Sequence, residues 1–235
     1  MDVIPVIDVK HGEAVRARRG DRARYQPIKT PLADGSDPVA VALGLRALFA
    51  FPTLYVADLD GIEGRGRNAD LAGRLKAVLP DTELWIDEGA SAQTVAGDLE
   101  RDLPFTPVVG TESLQDADGV AALRALAPER YVLSLDFKGE EFNGPVEVLD
   151  EVQRWPERVI VMTLAKVGSD EGPDLQRIAS VVAKAGTRSV YAAGGVRNAD
   201  DIAALMRAGA AGVLIASALH DKKITAGDLN KIAGR

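Results

Sequence analysis

Tyr191-Ala192-Ala193-Gly194-Gly195-Val196-Arg197-Asn198-Ala199-Asp200-Asp201-Ile202 reads as a short strand, a glycine pair and a helix start. Gly194 and Gly195 carry no Cβ, so the backbone there can turn tightly and approach a ligand closely. Asn198 suits a helix N-cap, and Asp200 and Asp201 suit the first turn that follows. A strand, a glycine turn and exposed N–H groups can cradle a phosphate, although the same pattern also serves an ordinary βα turn. Further along, Ala210-Ala211-Gly212-Val213-Leu214-Ile215-Ala216-Ser217-Ala218-Leu219 reads as another buried strand, ending in small residues that leave room for an anion. Two neighbouring strands ending this way, late in an α/β chain, match the phosphate site of a (β/α)8 barrel.

Working outward, apolar runs predict six more strands at 3–9, 53–61, 83–87, 106–111, 130–136 and 159–163. Helical stretches alternate with them. One starts at Asp37-Pro38 and runs to about Phe49, and others cover 69–78, a short helix capped by Ser91, and 116–126. The rest run from Pro145 to about Gln153, over 175–185 and over 226–233. Eight strands alternating with eight helical stretches predict one parallel sheet. No linker or low-complexity segment interrupts the chain, so residues 1–235 are expected to form a single (β/α)8 barrel domain.

The 235-residue length is near that typical of such a barrel. A formal charge of −7 argues against a nucleic-acid surface. The absence of cysteine removes disulfides and thiolate metal sites, and two histidines make a histidine-rich metal site improbable. No apolar run approaches a membrane span, and Met1-Asp2-Val3-Ile4-Pro5 leads straight into a strand. The expectation is a cytoplasmic protein that acts on a small molecule without a cofactor or metal. The loop carrying Arg16, Arg18, Arg19, Arg22 and Arg24 is either a solvated face or a contact for an anionic substrate.

The two halves repeat weakly. Val6-Ile7-Asp8-Val9-Lys10 resembles Ser134-Leu135-Asp136-Phe137-Lys138. Gly89 aligns with Gly195, Gly110-Thr111 with Ala216-Ser217, and Asp58 falls opposite Thr163. Two (β/α)4 halves in tandem would set Asp8 and Asp136 across the mouth from each other, at the strand ends where barrel enzymes keep their catalysts. Such a pair can act as base and acid if their surroundings split their pKa values. Alone, each Asp reads equally well as a loop or helix cap. Thr163 is a candidate for holding a substrate hydroxyl, or a β-branched structural residue.

These residues resemble the histidine-biosynthesis barrel family (HisA/HisF type) over nearly the whole chain. The resemblance is carried by Ile4-Pro5-Val6-Ile7-Asp8-Val9, Val56-Ala57-Asp58-Leu59-Asp60-Gly61, Gly110-Thr111, Ser134-Leu135-Asp136, Thr163, Gly194-Gly195-Val196 and Ala216-Ser217-Ala218. It implies an aldose–ketose, Amadori-type isomerase, with Asp8 and Asp136 as base and acid and Thr163 assisting. It further implies one phosphate at Gly194, Gly195, Ala216 and Ser217, with Gly110 and Thr111 as the first-half counterparts. Two segments depart from the family pattern. Asp87-Glu88-Gly89 stands where a glycine pair is expected, and Lys166-Val167-Gly168-Ser169-Asp170 where an Arg-Asp-Gly segment is expected. Carboxylates at Asp87 and Glu88 would repel a phosphate, so the expected substrate is singly phosphorylated. The departures suggest a related branch of methanogens and methylotrophs, linked to one-carbon cofactor (methanopterin/methanofuran-type) biosynthesis. Two other readings stay open: a lyase or condensing enzyme using Lys10, Lys138 or Lys166 as a Schiff base, and a barrel that only binds a phosphate ligand.

Overall fold

In a computed structural model describing residues 1–101, 103–169 and 171–234, eight parallel strands close into a barrel. The barrel strands are β1 (Asp2–Lys10), β2 (Thr53–Asp58), β3 (Glu83–Asp87) and β4 (Thr106–Gly110) in the first half. The second half holds β5 (Val132–Lys138), β6 (Arg158–Thr163), β7 (Ser189–Ala193) and β8 (Gly212–Ile215). Closure comes from β8 pairing with β1, Leu214 opposite Ile4. Closing the ring leaves no unpaired sheet edge among these strands.

Alternation along each strand decides what faces in. In β5, Leu133, Leu135 and Phe137 point out to the helices, whereas Val132, Ser134 and Asp136 point into the barrel. Each strand contributes one side chain to an inner apolar plug: Ile4, Tyr55, Trp85, Val108, Val132, Ile160, Tyr191 and Leu214. Trp85 and Tyr191 meet edge to face across it, centroids 4.9 Å apart, a favourable aromatic geometry. The plug fills the floor, and the polar ends of the strands lie above it, where the cavity opens.

Local chemistry sets the helix starts as the sequence indicates. Asp37 accepts from Ala40 N at 3.1 Å with Pro38 in the first turn, Ser91 accepts from Thr94 N at 3.1 Å, and Asn198 accepts from Asp201 N at 3.1 Å. The structure differs from the sequence reading in several places. The second strand, expected to reach Gly61, stops at Asp58, whose side chain caps a short helix over Leu59–Ile62. The eighth strand stops at Ile215, because the chain turns at Ala216 and Ser217–His220 is a short helix. The helix expected to reach Gln153 ends at Asp150, since Glu151 leaves helical geometry before a separate turn over Val152–Arg154. The loop after β1 is a small antiparallel extension, Glu13–Arg16 pairing with β1 and with Gln26–Pro27.

Candidate active site

At the carboxyl ends of the strands lies a cavity of about 420 Å³. Strands β1, β3 and β5 send Asp8, Asp87 and Asp136 into it, and β7 sends Ala193. Alternate strands supplying one layer is the packing rule of these barrels. Here three of the four places in the layer hold carboxyls.

Their surroundings differ. Asp136 is 4% exposed and accepts from Ser134 Oγ at 2.7 Å and from Glu112 N at 3.2 Å. Those bonds favour the carboxylate, yet burial and then the neighbouring Asp87 charge push its pKa up to about 8. Asp8 is partly buried, and loss of hydration raises its pKa to about 7 against the opposing pull of Arg22. Asp87 is raised to about 6, mainly by burial, with the Gly89 N–H at 3.0 Å opposing. All three acids therefore change charge close to neutrality, in the order Asp87, Asp8, Asp136.

Tyr55, which the sequence offers only as a strand residue, stands among them. Its hydroxyl donates to Asp87 Oδ2 at 3.3 Å, and its pKa is raised by burial and then by Asp87, Asp136 and Asp8 in turn. It thus stays a neutral hydrogen-bond donor. Of the basic loop, Arg19 and Arg22 reach the cavity. The Arg22 guanidinium meets Glu112 Oε1 at 2.5 Å, and Lys10 Nζ meets the Arg22 carbonyl at 2.8 Å.

The glycine pair also lines the cavity. Gly194 and Gly195 have φ of +105° and +85°. A Cβ on Gly194 would stand 2.7 Å from the Thr163 carbonyl oxygen, and one on Gly195 2.3 Å from that of Gly172. Only glycine fits both places. Ala216 and Ser217 line the cavity beside them. The structure therefore brings together Asp8, Asp136, Gly194, Gly195, Ala216 and Ser217.

Of the remaining candidates, Lys138 reaches the cavity lining at its exposed rim, and Thr163, Thr111, Gly110, Lys10 and Lys166 do not. Thr163 follows Met162, which faces in, and by alternation sits on the outward phase, with its carbonyl packed against Gly194. Thr111 is fully buried, its hydroxyl donating to the Asn143 carbonyl at 2.9 Å and accepting from Asp136 N at 2.9 Å. Gly110 backs the acids rather than the cavity. Of the lysines, Lys10 pairs with Glu63 at 3.7 Å and Lys166 with Glu171 at 3.1 Å, while Lys138 is exposed at the rim. Glu88 turns away to Arg67 at 3.1 Å, and Asp170 lies outside the described residues. Among the described residues no group of three or more His, Cys, Asp or Glu converges as a metal site, and no helix is long and apolar enough to cross a membrane.

Comparison with known proteins shows the family of the chain. A family model described as "Histidine biosynthesis protein" matches residues 2–225. An uncharacterised protein of Methanocaldococcus jannaschii is 29% identical over 221 residues, covering 94% of this chain and 93% of its own length. A phosphoribosyl imidazole-4-carboxamide isomerase of Thermus thermophilus is 30% identical over 236 residues, 95% of this chain and 96% of its own. Phosphoribosyl isomerase A of Streptomyces coelicolor is 29% identical over 239 residues, 96% and 95% of the two chains.

Proposed function

Because the chain belongs to the histidine biosynthesis protein family, we propose that it is a barrel isomerase of a phosphorylated, sugar-derived small molecule, with Asp8 as base and Asp136 as acid. One observation carries the reading. The two carboxyls end equivalent strands of the two halves and open into one cavity that the Gly194-Gly195 and Ala216-Ser217 backbone also lines. That backbone supplies N–H groups and room for a phosphate at the end of β7 and β8.

The order of the pKa values fits the division of labour. Asp136, about 8, is protonated at neutral pH and can donate to a sugar ring oxygen, opening the ring. Asp8, about 7, is ionised in a substantial fraction of molecules and can take the proton from the carbon next to the resulting imine. The enolamine then takes up a proton at the former aldehyde carbon and loses its hydroxyl proton, giving the aminoketose. Tyr55, held neutral among the acids, can donate to a substrate oxygen during the shift. The phosphate stays bound throughout and keeps the reacting carbon near both acids.

The test is turnover of a phosphorylated aminoaldose by purified Asp8→Asn and Asp136→Asn proteins. Each is expected to lose about 10²–10⁴ of the rate and to keep its affinity for the phosphate-bearing ligand. Turnover by both variants at the wild-type rate would end the assignment. Borohydride reduction during turnover is expected to leave the chain unlabelled, and a substrate-derived mass on a lysine would favour the Schiff-base alternative instead.

A further inference from the structure

At the end of β3 the cavity presents a carboxyl, Asp87, where the end of β7 presents the Gly194-Gly195 backbone. Asp87 is 7% exposed and is held from two directions, by the Tyr55 hydroxyl on Oδ2 at 3.3 Å and the Gly89 N–H on Oδ1 at 3.0 Å. A Cβ on Gly110 would stand 3.0 Å from Asp136 Oδ2 and 3.5 Å from Asp87 Oδ2. The two carboxyls therefore converge on the gap left by a missing side chain. Arg22 is the cation that approaches them, and its guanidinium is committed to Glu112. A phosphate arriving here would meet acceptors and an engaged arginine, whereas a nitrogen bearing hydrogens would meet complementary charge.

We propose that Asp87 determines specificity in this barrel: it selects substrates carrying an amino or amidino nitrogen at the end opposite the phosphate, and rejects those with a second phosphate there. The proposal rests on the phosphate-cradle reading above. It accounts for a buried acid that the isomerisation itself does not need. The Tyr55 hydroxyl and the Gly89 N–H both donate to Asp87 and favour its ionised form, which leaves the carboxylate to accept from a nitrogen.

The experiment is a calorimetric binding series on the full chain at neutral pH. The probes are inorganic phosphate, ω-hydroxyalkyl phosphates, ω-aminoalkyl phosphates and alkane bisphosphates of matched and increasing length. The amine is expected to bind about tenfold or more tightly than the hydroxyl of the same length, the worth of one charge-assisted hydrogen bond. The bisphosphate is expected to bind more weakly than either. In Asp87→Asn the amine advantage should fall to within about twofold while hydroxyalkyl phosphate binding holds. In Asp87→Gly the bisphosphate should gain about tenfold, which a misfolded protein would not show. Wild-type protein binding bisphosphate most tightly, or monoesters binding alike whatever their far end, would overturn the role of Asp87 and leave the cradle standing. Failure of every phosphate probe to bind would overturn the cradle, and this proposal with it.

Discussion

Asp136→Asn is expected to make the protein more stable above neutral pH and slightly less stable in acid. In the folded chain the Asp136 pKa stands at about 8 against 3.8 for the free side chain. The folded state therefore holds this proton more tightly than the unfolded state does. Its stabilising contribution is complete below about pH 3.8 and is lost as pH rises through about 8. Each pH step in that window removes about 1.4 kcal/mol, which accumulates to about 5 kcal/mol by pH 8. Asparagine carries no charge and escapes this loss. It keeps the acceptor facing Ser134 Oγ but offers an N–H₂ where Asp136 Oδ2 accepts from Glu112 N, a cost of about 1 kcal/mol. The two terms cross near pH 4 to 5. For a chain of this size, about 5 kcal/mol corresponds to a melting-temperature difference on the order of 10 °C. Differential scanning calorimetry of both proteins between pH 4 and 9 reads it directly. A melting difference that does not change across that range would show that Asp136 is not held protonated by burial, and the acid role assigned to it would go too.

Four further outcomes are expected. The pH profile of kcat/KM should be bell-shaped, with its rising limb near pH 7 as Asp8 ionises and its falling limb near pH 8 as Asp136 loses its proton. In Arg22→Met the rising limb should move to higher pH, because Arg22 is the charge that lowers Asp8; an unmoved limb would assign it to another group. Gly195→Ala should abolish protection by phosphate in thermal shift and lower stability by at least about 1–2 kcal/mol, since a Cβ at φ of +85° would stand 2.3 Å from the Gly172 carbonyl oxygen. Thr163→Val should keep turnover within about tenfold of wild type, its side chain lying outside the cavity lining; a larger loss would return Thr163 to the chemistry.

What could be read beforehand was whatever local chain physics dictates. The half-to-half repeat pairs Asp8 with Asp136 at equivalent strand ends, because it depends only on the local strand pattern. Caps at Asp37, Ser91 and Asn198 are short-range hydrogen bonds and need no tertiary knowledge. At the end of β6 it is Met162 that lines the cavity and not Thr163, and residue type at a strand end does not tell which of two neighbours faces in. Tyr55 carries no local signal, since its partner Asp87 lies 32 residues away. Arg22 stands in a run of similar arginines, and only the path of the loop over the mouth separates it from Arg18 or Arg24. The eighth strand was drawn too long because small apolar residues after Ile215 fit a strand or a helical turn equally well.

The loop after β1 reaches across to the loop after β6, with Arg19 N donating to the Val167 carbonyl at 2.7 Å. Beside it, Gly168 lies so close to Ala17 that a Cβ there would stand 2.3 Å from the Ala17 carbonyl oxygen. Ala17, Arg19, Val167 and Gly168 all line the cavity, so this clasp ties the first half-barrel to the second within the cavity wall itself. The Arg19 amide proton is consequently a reporter on that tie: a ligand that fills the cavity should slow its exchange with deuterated solvent.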